Sequence, residues 1–261
     1  MYQSRGKGVL VTGAAGDIGT AIARAFLERG ARVHATDIEE HALSERMQRL
    51  VAPGALSQSV CDLANPAQVQ ALATEAITRL GHVDVLINNA AIQAQGDLDS
   101  CSPELFDLAY AVNIRAPYLL ARACVPGMRA AGGGAIINIA SVHATAPGPQ
   151  RLAYATTKTA LLGMSRALAV DLGADNIRVN ALSPGATLTG QLHSAWDRQS
   201  AGGVDVMAHA VRQHPLGRIA EVADIAEAAL YLAETSFVHG TELRVDGGFL
   251  ASLRLLPQPP P

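Results

Sequence analysis

Short apolar runs recur along the chain between longer segments whose apolar positions return every three or four residues. Such runs predict buried strands, and such segments predict helices with one apolar face. Gly8-Val-Leu-Val-Thr12 is the first run, and a helix over 20–29 with Gly30 as its C-cap follows it. The pattern then predicts a strand over 32–36 closed by Asp37, a helix over 39–51, a strand over 56–60 and a helix over 66–80. Beyond them come a strand over 83–87, a helical region over 103–131 broken near Asn113 and Pro117, and a strand over 135–139. A helix over 151–172, a strand over 177–181, a helix over 222–233 and a strand over 242–245 complete the series.

Apolar strands alternating with amphipathic helices predict a parallel sheet covered on both faces. The expected fold class is α/β, a Rossmann-type doubly wound sheet of about seven strands in a single domain over 1–256. Two stretches escape the pattern. Residues 187–213 carry Gly202-Gly203 and read as a lid, and the Pro-rich tail 257–261 reads as disordered or extended.

Composition narrows the function. A formal net charge of −3, with Lys and Arg scattered, supplies no basic field for nucleic acid. No apolar run reaches the ~20 residues of a membrane span, and no secretory signal is read near the N-terminus. Cys61, Cys101 and Cys124 are far apart, which argues against a disulfide framework or a zinc site and fits a reducing cytoplasm. The eight histidines show no metal-binding spacing, so no metal is expected.

Two stretches carry chemistry. Gly13, Gly16 and Gly19 lie between the first strand and first helix, with Asp17 and Ile18 at the helix start. Without Cβ atoms the backbone can approach a pyrophosphate seated on a helix N-terminus. The unit strand, Gly-rich turn, helix, strand, acid is the pattern of a dinucleotide site, and the acid is Asp37. Tyr154 and Lys158, four apart, share one face of a predicted helix. A phenol titrates near pH ~10, and an ammonium one turn away favours the phenolate. Ser141 tops a strand at the sheet edge where open α/β sheets bind ligands, and could hold the substrate oxygen.

From Val9 to Gly248 these motifs resemble the short-chain dehydrogenase/reductase family in order and spacing, through Thr12-Gly13-x-x-x-Gly16-x-Gly19, Asp62-Leu63, Asn88-Asn89-Ala90, Asn113, Ser141, Tyr154-x-x-x-Lys158 and Pro184-Gly185. The resemblance implies a nicotinamide cofactor and reversible hydride transfer between an alcohol and a ketone. It implies that Asp62 and Leu63 contact the adenine, and that Asn89 and Ala90 line the cofactor pocket. Pro184, Gly185, Thr187 and Thr189 would meet the carboxamide, and Asn113 would hold a water relaying protons to Lys158. Lys158 would also hold the nicotinamide ribose beside the acid/base Tyr154. The family's usual glycine after Asn-Asn-Ala is Ala91 here. At Asp37 a carboxylate accepts bonds from the adenosine ribose and repels a 2′-phosphate, and Ile38, Glu39 and Glu40 offer no cation, so NAD is expected. Val245-Asp-Gly-Gly248 resembles an interface segment of homotetramers, and the apolar Leu161–Leu172 face points the same way.

Candidate substrate residues are Ser141, Tyr154, Gln93, His143, Gln150, His193 and Trp196, with Arg151 beside Gln150. This polar set suits a sugar or polyol, and His143, beside Ser141, is the one most constrained in position. A 3-oxoacyl-carrier-protein reductase shares every motif but would favour NADPH and a basic docking patch. A non-catalytic dinucleotide-binding protein stays open as a third reading, against the intact Ser, Tyr and Lys set.

Overall fold

Val9, Leu10 and Val11 are all fully buried, which places β1 (Gly8–Thr12) inside the sheet with both faces covered. Successive side chains of a strand point to opposite faces. Val9 and Val11 accordingly pack with Ile22 and Phe26 of α1 (Asp17–Glu28), whereas Leu10 joins Leu72 and Ala76 of α3 (Pro66–Leu80) on the other side. The same alternation separates Val85 and Ile87 from Leu86 in β4 (Val85–Asn88), and Ile137 from Ile136 in β5 (Gly134–Ile139).

The computed structural model describes residues 4–50, 54–190, 192–194, 196 and 206–252. The remaining strands are β2 (Arg32–Asp37), β3 (Leu56–Val60), β6 (Ile177–Pro184) and β7 (Glu242–Val245). The seven strands run parallel in the order β3-β2-β1-β4-β5-β6-β7. One face carries α1, α2 (Glu40–Gln48) and the later helix Val222–Glu234, and the other carries α3, α5 (Ala116–Ala130) and α6 (Leu152–Leu172). The strand order reverses between β1 and β4, and open sheets of this kind bind ligands at the carboxyl ends beside that reversal.

Several sequence expectations shift. The helix after β2 stops at Gln48, and β6 runs on to Pro184. The break near Asn113 is a π-helical turn, Ala111–Arg115, between α4 (Pro103–Tyr110) and α5. Pro117 follows just after that turn, in the first turn of α5, and its missing N–H leaves the carbonyl one turn back without a helical partner, which accords with the break. The expected lid has regular structure where it is described, with helical backbone at 190, 192–194 and 196 and a helix α7 over Val206–Gln213; Val222–Glu234 is therefore α8. Gly202-Gly203 and the tail 257–261 lie outside the described residues. Of the Leu161–Leu172 segment, Leu161, Ala169 and Leu172 are buried in the chain's own interior, whereas Val170 stays exposed.

Candidate active site

The carboxyl ends of β1, β2, β4, β5 and β6 deliver Gly13, Asp37, Asn89, Ser141 and Gly185 to the rim of one cleft of about 1030 Å³. That volume lies at the upper end of small-molecule sites. Gly16, Asp17, Ile18, Gly19, Asp62, Leu63, Ala90, Gln93, His143, Arg151, Tyr154, Lys158, Pro184, Thr187 and Thr189 also line it. Gln150, His193 and Trp196 do not. Gln150 faces a neighbouring pocket across His143 and Arg151, with its backbone left-handed at φ 54°. Among the described residues, no group of three His, Cys, Asp or Glu is placed to hold a metal ion.

The glycine turn is built to stay tight. Gly13 has φ 65°, and a Cβ there would meet the Ala90 Cα at 2.7 Å. Thr12 and Asn89 clamp it from behind: the Asn89 side-chain amide donates to the carbonyls of Thr12 (2.9 Å) and Gly13 (3.0 Å). The Thr12 hydroxyl accepts from the main-chain N–H groups of Asn89 and Ala90. Neither residue type advertises this clamp in the sequence; only the meeting of β1 and β4 creates it.

The first turn of α1 has Gly16 as N-cap, with no side chain capping it, so its opening N–H groups face the cleft. That is a donor set for a pyrophosphate. Asp17 opposes an anion there, but its carboxylate is held by Arg46 at 2.7 Å and by the Gly190 N–H at 2.8 Å. The Asp37 carboxylate accepts from Ala15 N–H (2.9 Å) and Ile38 N–H (2.8 Å), which fixes it facing the cleft with lone pairs to spare. Asp62 is oriented by the Ala64 N–H (2.9 Å). The Thr187 hydroxyl donates to Gly185 O, while Thr189 Oγ1 accepts from Leu192 N–H and so keeps its own proton to give. These residues fit a dinucleotide.

At the other end, Tyr154 and Lys158 rise from α6 beneath Ser141 and are almost wholly buried. Lys158 Nζ donates to the Ile139 carbonyl at 2.5 Å and lies 5.8 Å from the Tyr154 ring centroid. Burial pushes the ammonium down to about 7. It pushes the phenol above its ordinary value, opposed by a hydrogen bond with Ser141 and by the charge of Arg151. Desolvation dominates both groups, and the influences that oppose it at Tyr154 come from Ser141 and Arg151.

Asn113 is held on three sides by protein. Its amide spends both protons on protein, donating to Ile92 O (3.1 Å) and Thr157 Oγ1 (3.0 Å), while its Oδ1 accepts from Ile92 N–H (2.8 Å). The side chain ties the loop after β4 to α6. A second tie went unforeseen: Asn88 donates to Asn138 across β4 and β5, and Asn138 donates to Ser165 of α6. His143 accepts from Gly148 N–H at Nδ1 (3.1 Å), so the neutral ring carries its proton on Nε2. Burial and the charge of Arg151 lower its pKa, which favours that neutral form.

Residues 13–250 match the family model described as enoyl-(acyl carrier protein) reductase. D-threitol dehydrogenase of Mycolicibacterium smegmatis is 36% identical, with 95% of this chain and 94% of that protein covered. The chain belongs to the short-chain dehydrogenase/reductase family. Among solved structures, a putative short-chain alcohol dehydrogenase from Sinorhizobium meliloti superposes on this family member with a TM-score of 0.88 at 30% identity, over 95% of this chain and 98% of that one. The 3-ketoacyl-(acyl-carrier-protein) reductase of Brucella melitensis, solved with NADH, gives 0.84 at 31% identity, over 94% and 99%. The seven-stranded parallel sheet with helices on both faces is the fold these dehydrogenases and reductases share with it.

Proposed function

We propose that this chain is an NAD-dependent oxidoreductase that interconverts a secondary alcohol and a ketone on a polar, hydroxylated small molecule of the sugar or polyol kind. The observation that carries this reading is the meeting of Ser141, Tyr154 and Lys158 at one end of a cleft whose other end holds the glycine turn and Asp37. The likeness to D-threitol dehydrogenase supports the substrate class. The NADH complex of the Brucella structure supports the cofactor class. Asp37, with no cation at Ile38, Glu39 or Glu40, supports NAD over NADP.

Gly13, Gly16, Ile18 and Gly19 would hold the pyrophosphate. Asp37 would hold the adenosine ribose, Asp62 and Leu63 the adenine, and Asn89, Ala90, Pro184, Gly185, Thr187, Thr189 and Lys158 the nicotinamide half. When bound, the nicotinamide supplies the hydride acceptor for alcohol oxidation, or the donor for ketone reduction. The chain's own part is the proton. Tyr154 takes it from the alcohol as phenolate, or gives it to the forming alkoxide as phenol. Ser141 orients the substrate oxygen, and the neutral His143 offers an Nε2–H to a neighbouring hydroxyl.

We further propose a cytoplasmic homotetramer. Apolar side chains left in solvent support assembly, among them Val170 at 84% exposure and Phe237 at 98%. Light scattering at micromolar concentration tests it, and a monomer refutes it. Among the described residues, no helix is long and apolar enough to cross a membrane.

A panel of polyols, sugars and ketones followed by NADH absorbance, each with NAD and NADP, tests the main reading. Turnover of hydroxylated substrates with NAD supports it. Preference for 3-oxoacyl thioesters with NADPH would move the chain to the carrier-protein reductase alternative.

A further inference from the structure

Arg151 occupies a place that its charge alone does not explain. It lines both the cleft and the adjoining pocket that Gln150 faces. Its Nη1 is buried and has no hydrogen-bond partner among the described residues. A guanidinium stays charged at every working pH, and an unpaired buried donor destabilises a fold. Asp97 lines the adjoining pocket with Arg151, but its carboxylate accepts from Ser100, and no ion pair joins the two among the described residues. The carboxylates lining the cleft, Asp17, Asp37 and Asp62, follow or begin elements on the β1–β3 side of the sheet, at the dinucleotide end. Asp17 is already engaged by Arg46.

The main chain under Arg151 is fixed firmly. Gly96 donates its N–H to Gln150 O (3.0 Å), and its carbonyl accepts from Leu152 N–H (3.1 Å), a short parallel bridge on either side of Arg151. Gly96 needs to be glycine for this: its φ is 155°, and a Cβ would meet Cys101 at 3.0 Å. Gln150 adopts its left-handed conformation to turn the chain into α6. Three residues before Tyr154, Arg151 lies beside the reacting group, and its charge reaches both Tyr154 and His143.

We propose that Arg151 binds a carboxylate on the substrate, so that the chain acts on a hydroxy or oxo acid, such as an aldonic or keto-sugar acid, whose carboxylate lies close to the reacting carbon. The inference rests on the alcohol–ketone reading above. A planar guanidinium matches a carboxylate in two parallel bonds. A single arginine with no lysine cluster suits that singly charged group better than a phosphate dianion. The adjacent His143 Nε2–H and Ser141 then meet the hydroxyls of the same molecule.

The test compares initial rates on an aldonic acid, the polyol of the same carbon count and the corresponding sugar phosphate, with NAD. The expected result is a kcat/KM for the acid roughly 10²-fold above that for the polyol, the worth of charge-assisted bonds. Arg151→Gln is expected to raise KM for the acid by about the same factor, with a much smaller change for the polyol. Arg151→Lys, which keeps the charge and loses the fork, is expected to recover part of the loss. Thermal melting of each variant, with and without the acid, reads folding and binding apart from turnover. The acid should raise the melting temperature of the unmodified protein and not of Arg151→Gln. A polyol or sugar phosphate used better than the acid, or equal KM increases for acid and polyol in Arg151→Gln, overturns the carboxylate assignment while leaving the dehydrogenase reading standing. Absence of turnover on every alcohol and ketone with either cofactor sinks both.

Discussion

The Lys158 ammonium nitrogen stands 5.8 Å from the centre of the Tyr154 ring and gives its hydrogen bond to the Ile139 carbonyl rather than to the phenol. Both side chains are almost completely buried, so each charged form is penalised before either can help the other. Lys158 falls to about 7, and Tyr154 rises. A nicotinamide ribose hydroxyl at Lys158 would meet a group poised to gain its proton near neutral pH.

This buried amine should cost stability, with a definite dependence on pH. Its folded pKa of about 7 lies below the unfolded value of 10.5. The unfolded chain therefore binds more protons between those values, and this group's contribution to stability rises with pH across that window. Lys158→Met removes the penalty. Its melting temperature should exceed that of the unmodified protein by about 5 °C at pH 7, and the gap should close toward pH 10. Turnover should be lost throughout. Scanning calorimetry at the two pH values checks this, and a gap independent of pH would contradict it.

The alkaline rise of the oxidation rate should answer to Ser141 as well. Its hydrogen bond opposes the burial that raises the Tyr154 pKa. Ser141→Ala removes that bond, so the residual rate should rise with pH later than in the unmodified enzyme. Tyr154→Phe should lower kcat by about 10²–10⁴-fold while leaving the dissociation constant of NAD nearly unchanged. Rate profiles from pH 6 to about 11 separate the two effects. A Ser141→Ala profile with unmoved inflection would mean that another group carries the proton.

Much of this was readable from residue order because strand and helix periods are local properties. The alternation in β1, β4 and β5 and the spacing of Tyr154 and Lys158 come from neighbours in sequence. What the order concealed is where distant groups meet. Asn113 is visibly a poor helix former, yet its partners Ile92 and Thr157 become neighbours only when the loop after β4 packs on α6. Helix α7 escaped although its apolar positions do recur with a helical period; it is only eight residues long and buries none of them fully. Gln150 sits in a turn before α6, His193 and Trp196 stand on helical backbone after β6, and none of them lines the cleft.

Asn113 yields a stability prediction. Asn113→Ala leaves Ile92 and Thr157 without the partner that joins them, at a cost of about 1–3 kcal/mol. The midpoint of urea unfolding should fall accordingly. Because Thr157 adjoins Lys158 on α6, kcat should fall as well, with KM for NAD less affected. An unchanged unfolding midpoint would show that Asn113 does not tie the two elements together.

Asp37 is placed to discriminate between the two cofactors by geometry and charge together. Its Oδ2 is held by the Ala15 N–H of the glycine turn, and its Oδ1 by the Ile38 N–H, so the carboxylate is oriented before any ligand arrives. Oδ1 also accepts from the Glu39 N–H (3.4 Å), and Oδ2 keeps a lone pair for a ribose hydroxyl. A 2′-phosphate at the same place would bring like charges together, with Ile38 half-exposed and Glu39 and Glu40 adding no cation. NAD should bind more tightly than NADP in fluorescence titration. Asp37→Asn retains an acceptor for Ala15 and removes the charge, so the glycine turn should hold while repulsion disappears. The ratio of the two dissociation constants should then narrow by about tenfold or more, one charge contact being worth on the order of 1–3 kcal/mol. Asp37→Ala also frees the Ala15 N–H, so NAD binding should weaken beyond the Asn variant. If the unmodified protein bound both cofactors equally, or if Asp37→Asn left the ratio untouched, the discrimination would have to come from elsewhere in the cleft.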